Sequence, residues 1–450
     1  MTALTHGEFV QKEKLATFPW AAVGLFGLIL ILSLAYGFQY LFQGAKLLQY
    51  YRLASLPFFV ILIGLSWYGL RGWSALPSVS RPPWLGFLLM STSFILTAFF
   101  QSEVLRPIPW PLVAGGVVGV SGYCQFKWGT RGSTIAFLCG ALVLYIFFIT
   151  RIPMVSGAAN MLETIDLASR AFLSGETPYR PFETSGGDVT LPYLPGLWLP
   201  YVPLIKLGLD MRIFNLAALV LLVFLFEKSL PKATRADILS LTLYPFVLSS
   251  PLALMVVNGH VWPYWLFLLV TMLFLMKGRL LSAGIFFGLS LASRQPALFL
   301  VGPLAAYAYR QNRLMAMLKY AAVAAIAYLC LVLPFAIWTG KNFWIYSYLS
   351  LSGGGGPDQP HVSAITILGL WGWGRSTLKY WQALIVIGSM GAILMRSKLD
   401  PVWFVFIAGV TYCWLVFFNA YAVRYVYFPG FFLIAIALSM HFATGPVRVR

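Results

Sequence analysis

Long apolar runs, separated by short polar loops, fill most of this 450-residue chain. Apolar residues are continuous within each run and do not alternate with polar ones, which favours membrane-spanning helices over the strands of a membrane barrel. We therefore predict an all-α fold, a polytopic bundle of about 13–14 transmembrane helices with a helical extracytoplasmic loop. The predicted spans lie near residues 19–42, 56–70, 84–100, 109–123, 133–150, 211–230, 238–257, 261–276, 280–292, 296–309, 316–338, 378–395, 401–418 and 425–442.

Positive charges in the loops orient these spans, because short cytoplasmic loops are enriched in Lys and Arg. Lys12 and Lys14 place the N-terminal tail in the cytoplasm, and the C-terminal tail also ends there. The cations of the predicted inner loops are Arg71, Arg81, Lys127, Arg131, Lys228, Lys232, Arg235, Lys277, Arg279, Arg310, Arg313, Arg396 and Lys398. This orientation leaves residues 151–190, 258–260 and 339–361 outside the cell membrane.

The segment Leu191–Leu209 leaves two topologies open. It is apolar but contains four prolines, so we predict a short or re-entrant element that does not cross the bilayer. In the alternative it does cross, and Lys228, Lys232 and Arg235 then lie outside.

Composition agrees with a membrane location. Hydrophobic residues make up 60% of the chain and charged residues 10%, with a mean hydropathy of +0.81, whereas soluble domains carry about 25% charged residues. The formal net charge of +18 comes from cations spread through the loops, which does not indicate a nucleic-acid partner. The four cysteines lack CxxC spacing, and no set of metal ligands is evident.

Acidic residues concentrate in the predicted outer loop 151–190, which holds five of the 13 in the chain: Glu163, Asp166, Glu176, Glu183 and Asp188. Ala158–Leu173 has an amphipathic helical pattern in which Glu163 and Asp166 share a face and Asp166 can pair with Arg170. Gly175 is expected to end this helix. An ordinary solvated helix beside the membrane would show the same pattern, so the carboxylates alone do not establish a site.

The order of several short motifs resembles the GT-C superfamily of membrane glycosyltransferases. Asp166-Leu-Ala-Ser-Arg-Ala-Phe-Leu-Ser-Gly175-Glu-Thr-Pro178-Tyr179, followed by Tyr193-Leu-Pro195, is similar to the first outer loop of bacterial families that use polyprenyl-phosphate sugars such as polyprenyl-phosphate mannose. Asn258-Gly259-His260-Val261, the stretch from Ala283-Gly284 to Arg294-Gln295-Pro296, and Arg424-Tyr425 with Pro429 resemble later motifs of these families. His260 stands where Gln is usual, and Arg294 where Lys is usual. The likeness covers roughly residues 133–440.

The resemblance implies an inverting sugar transfer on the outer face of the inner (plasma) membrane. Such a reaction needs a base that takes the acceptor proton and cations that stabilise the departing phosphate. Asp166 is the predicted base, with Glu163 as the second candidate. The predicted substrate-binding residues are Arg170, Tyr179, Asp188, Tyr193, Asn258, His260, Arg294, Gln295, His361, Arg424 and Tyr425.

These motifs divide the chain into residues 1–132, N-terminal helices outside the likeness, 133–442, a GT-C-like catalytic module, and 443–450, a cytoplasmic tail. The expected partners are membrane lipids, a polyprenyl-phosphate-linked sugar and a glycolipid, glycan or protein acceptor, with no cofactor and no metal. Two other functions stay open at this stage. One is a lipid-linked glycan transporter, and the other is a polysaccharide polymerase or ligase.

Overall fold

The computed structural model describes residues 20–38, 44–72, 83–105, 108–154, 161–184, 187–232, 235–349, 362–368, 373–419 and 424–444. Helix accounts for 84% of the described residues and strand for 2%. The predicted all-α class is therefore confirmed, apart from one small hairpin.

The elements follow one another in this order. The N-terminal helices are α1 (Trp20–Phe38), α2 (Gly44–Trp67, with a π-helical turn Tyr68–Gly72), α3 (Pro83–Phe100), α4 (Ser102–Leu105) and α5 (Trp110–Arg151). The next segment contains α6 (Met161–Leu173), β1 (Pro181–Thr184), β2 (Gly187–Thr190), α7 (Pro195–Trp198), a 3-10 turn (Leu199–Tyr201) and α8 (Val202–Lys206). The central helices are α9 (Arg212–Ser229), α10 (Arg235–Leu241), α11 (Tyr244–Val247), α12 (Ser250–Asn258), α13 (Trp262–Met276) and α14 (Leu280–Leu291). The last group consists of a 3-10 turn (Gln295–Leu300), α15 (Val301–Thr339), α16 (Lys341–Trp344, with a π-helical turn Ile345–Leu349), α17 (Ala364–Leu368), α18 (Trp373–Met395), α19 (Pro401–Phe417), a 3-10 turn (Arg424–Val426) and α20 (Phe428–Thr444).

Four of the described helices are long and apolar enough to cross a membrane: Gln49–Arg71, Trp110–Arg151, Arg313–Thr339 and Thr377–Met395. A fifth span is possible if the bent pair α12 and α13 counts as one. These helices expose large apolar side chains, and the exposed fraction reaches 91% at Phe126 and 73% at Ile337. A soluble protein rarely exposes apolar surface of this extent, so the chain is a membrane protein. Its orientation stays a prediction.

Two interruptions lie where cationic loops were predicted between spans. Gly129, with φ of 67°, breaks α5 between Lys127 and Arg131. Arg313, also left-handed with φ of 62°, interrupts α15. The two spans predicted on either side of Gly129 therefore belong to one helical segment with a kink, and the same holds for the two spans on either side of Arg313. Neither pair is joined by a loop.

The predicted span 238–257 is wrong as a single helix. The structure divides it into the short helices α10, α11 and α12, because Pro245 and Pro251 each occupy the first turn of a new helix. Proline has no N–H for the preceding turn and therefore restarts the helix. The segment Leu191–Leu209, predicted not to cross, likewise consists of the short helices α7 and α8 and a 3-10 turn.

The last two long helices, α19 and α20, form the centre of the core. Nearly all of their side chains are buried, and they approach closely where Gly409 faces Gly430. A Cβ atom at Gly430 would lie 2.9 Å from the Gly409 carbonyl oxygen, so only glycine permits this crossing. The N-terminal helices join the same core, because the Trp403 indole donates to the Gly69 carbonyl at 2.6 Å.

Helix α6 packs beside the C-terminal end of α15, and the first strand of the hairpin packs on α6. The Phe172 ring of α6 contacts the rings of Trp198, Phe335 and Trp338 at centroid distances of 5.5, 5.8 and 6.2 Å. The hairpin pairs Glu183 with Asp188 in antiparallel register. A strand pair was not expected, because each strand has four residues and too short a pattern to recognise.

A buried ion pair attaches the start of α9 to the end of α5. The Arg212 guanidinium, 5% exposed as a residue, donates to the Asp210 carboxylate at 2.6 Å and to the Ile152 carbonyl at 2.6 Å. Burial opposes ionisation of Asp210, but the hydrogen bonds and charge of Arg212 outweigh it and lower the pKa of that carboxyl. This contact fixes where α9 begins and therefore where its later residues lie.

Candidate functional site

Four side chains that are far apart in sequence meet at one point of the molecule: Tyr193, His260, Arg294 and Tyr425. We call them the arginine–tyrosine cluster. The ring centroids of His260 and Tyr193 are 4.6 Å apart, and those of His260 and Tyr425 are 5.7 Å apart. The Arg294 Cζ atom lies 5.7 Å from the Tyr193 centroid and 5.1 Å from the Tyr425 centroid. All four were predicted substrate-binding residues, and the structure brings them together.

The break between α12 and α13 presents His260 to the cluster. The two helices bend by 118° at this break, which leaves carbonyl groups at the end of α12 without helical donors. The Met255 carbonyl keeps its helical donor, the Gly259 amide at 3.0 Å, and also accepts from the Trp262 indole at 2.7 Å. A Cβ atom at Gly259 would overlap that same carbonyl group, so glycine is required for the chain to turn here.

Asn215 satisfies two carbonyls of the break, and sequence reasoning missed it. This fully buried side chain of α9 donates to the carbonyls of Val256 at 3.0 Å and Gly259 at 2.7 Å. Its own oxygen accepts from the Tyr201 hydroxyl at 2.8 Å. An amide within the apolar run of α9 was the available signal, because polar groups in such runs are costly unless they have partners.

Arg294 lies in a second break, between α14 and the 3-10 turn that precedes α15. Its backbone is extended, with φ of −154° and ψ of 141°. The Ala292 carbonyl at the end of α14 accepts from the Gly196 amide at 2.8 Å. A Cβ atom at Gly196 would lie 2.9 Å from that oxygen, so α7 can approach this closely only with glycine.

Tyr193 and Tyr425 complete the cluster from two further segments. The Tyr193 hydroxyl donates to the Met161 sulfur at 2.7 Å, which links the cluster to the start of α6. Its carbonyl accepts from the Tyr179 hydroxyl at 2.9 Å. Tyr425 belongs to the 3-10 turn before α20, and the Arg294 guanidinium donates to its hydroxyl at 3.4 Å. Beneath the cluster, the buried hydroxyls of Tyr264 and Tyr412 are hydrogen-bonded at 3.0 Å.

The Arg294 guanidinium is a half-buried cation whose partners are aromatic rings. Ion pairs among the described residues join Arg170 to Asp166, Arg180 to Glu176 and Arg212 to Asp210, and none involves Arg294. Cation–π contacts stabilise such a group by roughly 0.5–2 kcal/mol but do not neutralise its charge. A partly desolvated cation without a carboxylate favours binding of an anion.

An apolar cavity of about 430 Å³ begins beside the cluster. Leu194 and Gln295, the sequence neighbours of Tyr193 and Arg294, line it together with Tyr328, and the lining continues along α14 and α15 to Met317. At 1.5 Å per residue, the stretch of α15 from Met317 to Tyr328 is about 16 Å long. No charged residue occurs among the described residues that line the cavity.

The predicted carboxylates lie on the polar face of α6. Asp166 accepts from Arg170 at 2.9 Å, and this hydrogen bond raises the pKa of Arg170. On a helix of 3.6 residues per turn, Asp166 is about 140° around the axis from Met161, the residue that contacts Tyr193. No hydrogen bond or ion pair between described residues joins Asp166 to the cluster. Glu163 lies on the same polar face and is half-buried.

Three other predicted residues lie away from the Arg294 guanidinium or serve the packing. Tyr179 is fully buried against Phe343, which indicates a structural role for its ring. Asp188 is exposed on β2. The Gln295 amide donates to the Ser347 carbonyl at 2.5 Å and lines the cavity.

Of the remaining predicted residues, the structure describes Asn258 and only the backbone of Arg424. Asn258 ends α12, two residues before His260. His361 and the side chain of Arg424 lie outside the described residues. Within the described part of the chain, no group of three or more His, Cys, Asp or Glu side chains is placed to hold a metal ion.

Comparisons with protein-family models, with curated protein sequences and with solved structures found no match for this chain. The likeness to GT-C glycosyltransferases therefore stays a prediction from the motifs. The geometry of the cluster and the cavity supplies the physical basis for the function proposed below.

Proposed function

We propose that this protein is an integral membrane glycosyltransferase of GT-C type, which transfers a sugar from a polyprenyl-phosphate donor to an extracytoplasmic acceptor. The resemblance favours mannose as the sugar. The observation that carries the proposal is the Arg294 guanidinium, a cation with aromatic partners, whose sequence neighbour Gln295 lines an uncharged cavity.

An anion site joined to an apolar cavity fits an amphiphilic ligand. The phosphate would bind Arg294, and the first part of the lipid chain would lie between α14 and α15. Cavities of about 300–1,000 Å³ are typical of ligand sites, and the volume of about 430 Å³ lies in that range. A polyprenyl phosphate carries both of the required groups, one anionic and one apolar.

The same geometry suits the transfer step. As the bond from sugar to phosphate breaks, negative charge develops on the departing oxygen. A fixed cation in a site of low water content stabilises that charge more strongly than water would. Arg294 has this role in the proposed mechanism. The rings of Tyr193 and Tyr425 contact its guanidinium group and limit its movement, so little reorganisation is needed during reaction.

Binding of farnesyl phosphate, which has the same head group and a short isoprenyl chain, tests the proposal. Charge-assisted hydrogen bonds contribute about 1.5–3 kcal/mol each, so Arg294→Ala should weaken binding by about 10–100-fold. Arg294→Lys should recover only part of this loss, because the planar fork is missing. Ala325→Phe, which fills the cavity, should weaken binding of both farnesyl phosphate and farnesol.

Matched controls separate these effects from general damage. Arg279→Ala removes an exposed cation at the opposite end of α14, and Ala322→Phe adds the same ring at an exposed position that does not line the cavity. Both variants should bind farnesyl phosphate like the wild type. Wild-type affinity in Arg294→Ala, or equal affinity for inorganic phosphate and farnesyl phosphate, would show that the site does not bind a lipid phosphate.

A further inference from the structure

The His260 imidazole is buried within the arginine–tyrosine cluster with an unused ring nitrogen. The residue is 4% exposed, and its Nε2 atom has no hydrogen-bond partner among the described residues. A buried polar atom without a partner costs about 1–3 kcal/mol. Such a cost is retained where a ligand or a proton supplies the missing contact.

Among the described side chains, the surroundings of this imidazole contain one permanent positive charge and no carboxylate. The groups of its own and neighbouring segments that carry charge or can titrate are Tyr193, Tyr264, Arg294, Tyr412 and Tyr425. The side chain of α9 at this break is Asn215, which cannot titrate. With Arg294 charged, a second cation at His260 is unfavourable until additional negative charge arrives.

Sugar transfer from a lipid phosphate delivers that negative charge. This step rests on the proposed function. The donor is a phosphodiester with one negative charge, which Arg294 balances. The product is a phosphomonoester with a charge of about −1.5 to −2 near pH 7, and the acceptor hydroxyl releases one proton at the same place. After transfer, one negative charge and one proton remain to be accommodated.

We propose that His260 takes the proton of the acceptor hydroxyl and holds it while the phosphomonoester is bound. The acceptor O–H bond breaks and its oxygen forms the new bond to the sugar carbon. The bond from that carbon to the phosphate oxygen breaks, and its electron pair stays on the phosphate. The proton bonds to an imidazole nitrogen. Arg294 and the imidazolium then balance the two charges of the product, so the summed charge of Arg294, His260 and the phosphate is zero before and after transfer.

Asp166 is less well placed for this step. Its carboxylate is paired with Arg170 on the polar face of α6, and no described hydrogen bond connects it to Tyr193 or Arg294. A protonated aspartic acid would also be neutral, so it would leave the extra charge of the phosphomonoester unbalanced beside Arg294. His260 both lies in the cluster and supplies the missing positive charge.

Proton uptake on ligand binding tests this inference. Calorimetry of the full-length protein in lipid nanodiscs, in buffers with different ionisation enthalpies, measures the number of protons taken up. The two ligands are farnesyl monophosphate, which mimics the product head group, and farnesyl methyl phosphodiester, which mimics that of the donor. A pH near 8 keeps the monoester itself fully ionised, because its second pKa is about 6.

The wild type should take up close to one proton with the monoester and almost none with the diester. His260→Gln, which keeps a hydrogen-bonding group but cannot hold the proton, should abolish this uptake. His260→Gln should weaken monoester binding by about tenfold. Its affinity for the diester should stay within about twofold of the wild type, and this retained affinity also shows that the variant is folded. Equal proton uptake in wild type and His260→Gln, or equal uptake with the two ligands, would overturn the inference.

The same experiment gives a different result if the proposed function itself is wrong. If neither ligand binds the wild type, or if Arg294→Ala binds both as the wild type does, the lipid-phosphate site and this inference are both wrong. If both ligands bind through Arg294 but uptake does not depend on His260, only the role of His260 is wrong. His260→Asn provides a second variant without a titratable ring.

Discussion

A guanidinium group held between two tyrosine rings gains little free energy until an anion reaches it. Cation–π contacts contribute roughly 0.5–2 kcal/mol, whereas a hydrogen bond to a charged group contributes about 1.5–3 kcal/mol. Arg294 therefore has unused binding capacity in the structure described here. His260 adds an unused nitrogen at the same place. Both residues were predicted from the resemblance of their motifs to GT-C families and from their place on the predicted outer side of the membrane.

Turnover of the variants distinguishes the two proton acceptors. A general base contributes about 10²–10⁴-fold to the rate, so His260→Gln should lower transfer by that factor. Asp166→Asn, which weakens the pair between half-buried Asp166 and exposed Arg170, should leave transfer within about tenfold of the wild type because that pair lies outside the cluster. Transfer of radiolabelled sugar by purified variants measures both. A dead Asp166→Asn with an active His260→Gln would return the base to α6.

Breaks between helices, more than the helices themselves, position the chemical groups. The break after α12 presents His260, and the break after α14 presents Arg294. The short helices after Tyr193 place its ring in contact with both side chains. Each break leaves carbonyl groups that need donors in a region with little water. Asn215 provides two of these donors, so it is expected to stabilise the site through the position of the 259–261 turn.

Substitution of Asn215 tests this role. Asn215→Leu keeps the approximate volume but leaves the carbonyls of Val256 and Gly259 without a donor, at a cost of about 1–3 kcal/mol each. Tyr201→Phe removes only the third hydrogen bond of Asn215 and is the matched control. Thermal unfolding in detergent should show a clearly lower midpoint for Asn215→Leu than for Tyr201→Phe. Equal midpoints would mean that these two carbonyls do not depend on the amide.

The elements differ in how far the sequence alone could predict them. The end of α6 at Gly175 was predicted and is confirmed by its φ of 79°, because a helix end depends on local residues. The pair between Asp166 and Arg170 was likewise local. The role of Asn215 was missed because its partner carbonyls are 41 and 44 residues away. The contact of Tyr193 with Arg294 also depends on tertiary packing, although both residues were individually predicted.

At the scale of the whole molecule, apolar surface and buried core have separate locations. The helices α5, α15 and α18 expose much of their apolar surface, whereas α19 and α20 are buried between the other helices. The N-terminal helices pack on this centre, since the Phe58 ring of α2 stacks on the Phe417 ring of α19 at a centroid distance of 6.0 Å. The cavity opens between α14 and α15, so a lipid could reach the cluster from the side of the bundle.

Conversion of a polyprenyl-phosphate sugar donor tests the central claim most directly. Membranes that contain the protein, together with the native acceptors, would receive polyprenyl-phosphate mannose labelled in the sugar, and release of polyprenyl phosphate would be followed with time. The wild type should convert the donor and transfer the label to an acceptor, while Arg294→Ala should do so at least about tenfold more slowly at equal protein level. Absence of protein-dependent conversion, or an equal rate with Arg294→Ala, would contradict a lipid-phosphate glycosyltransferase with Arg294 at its centre.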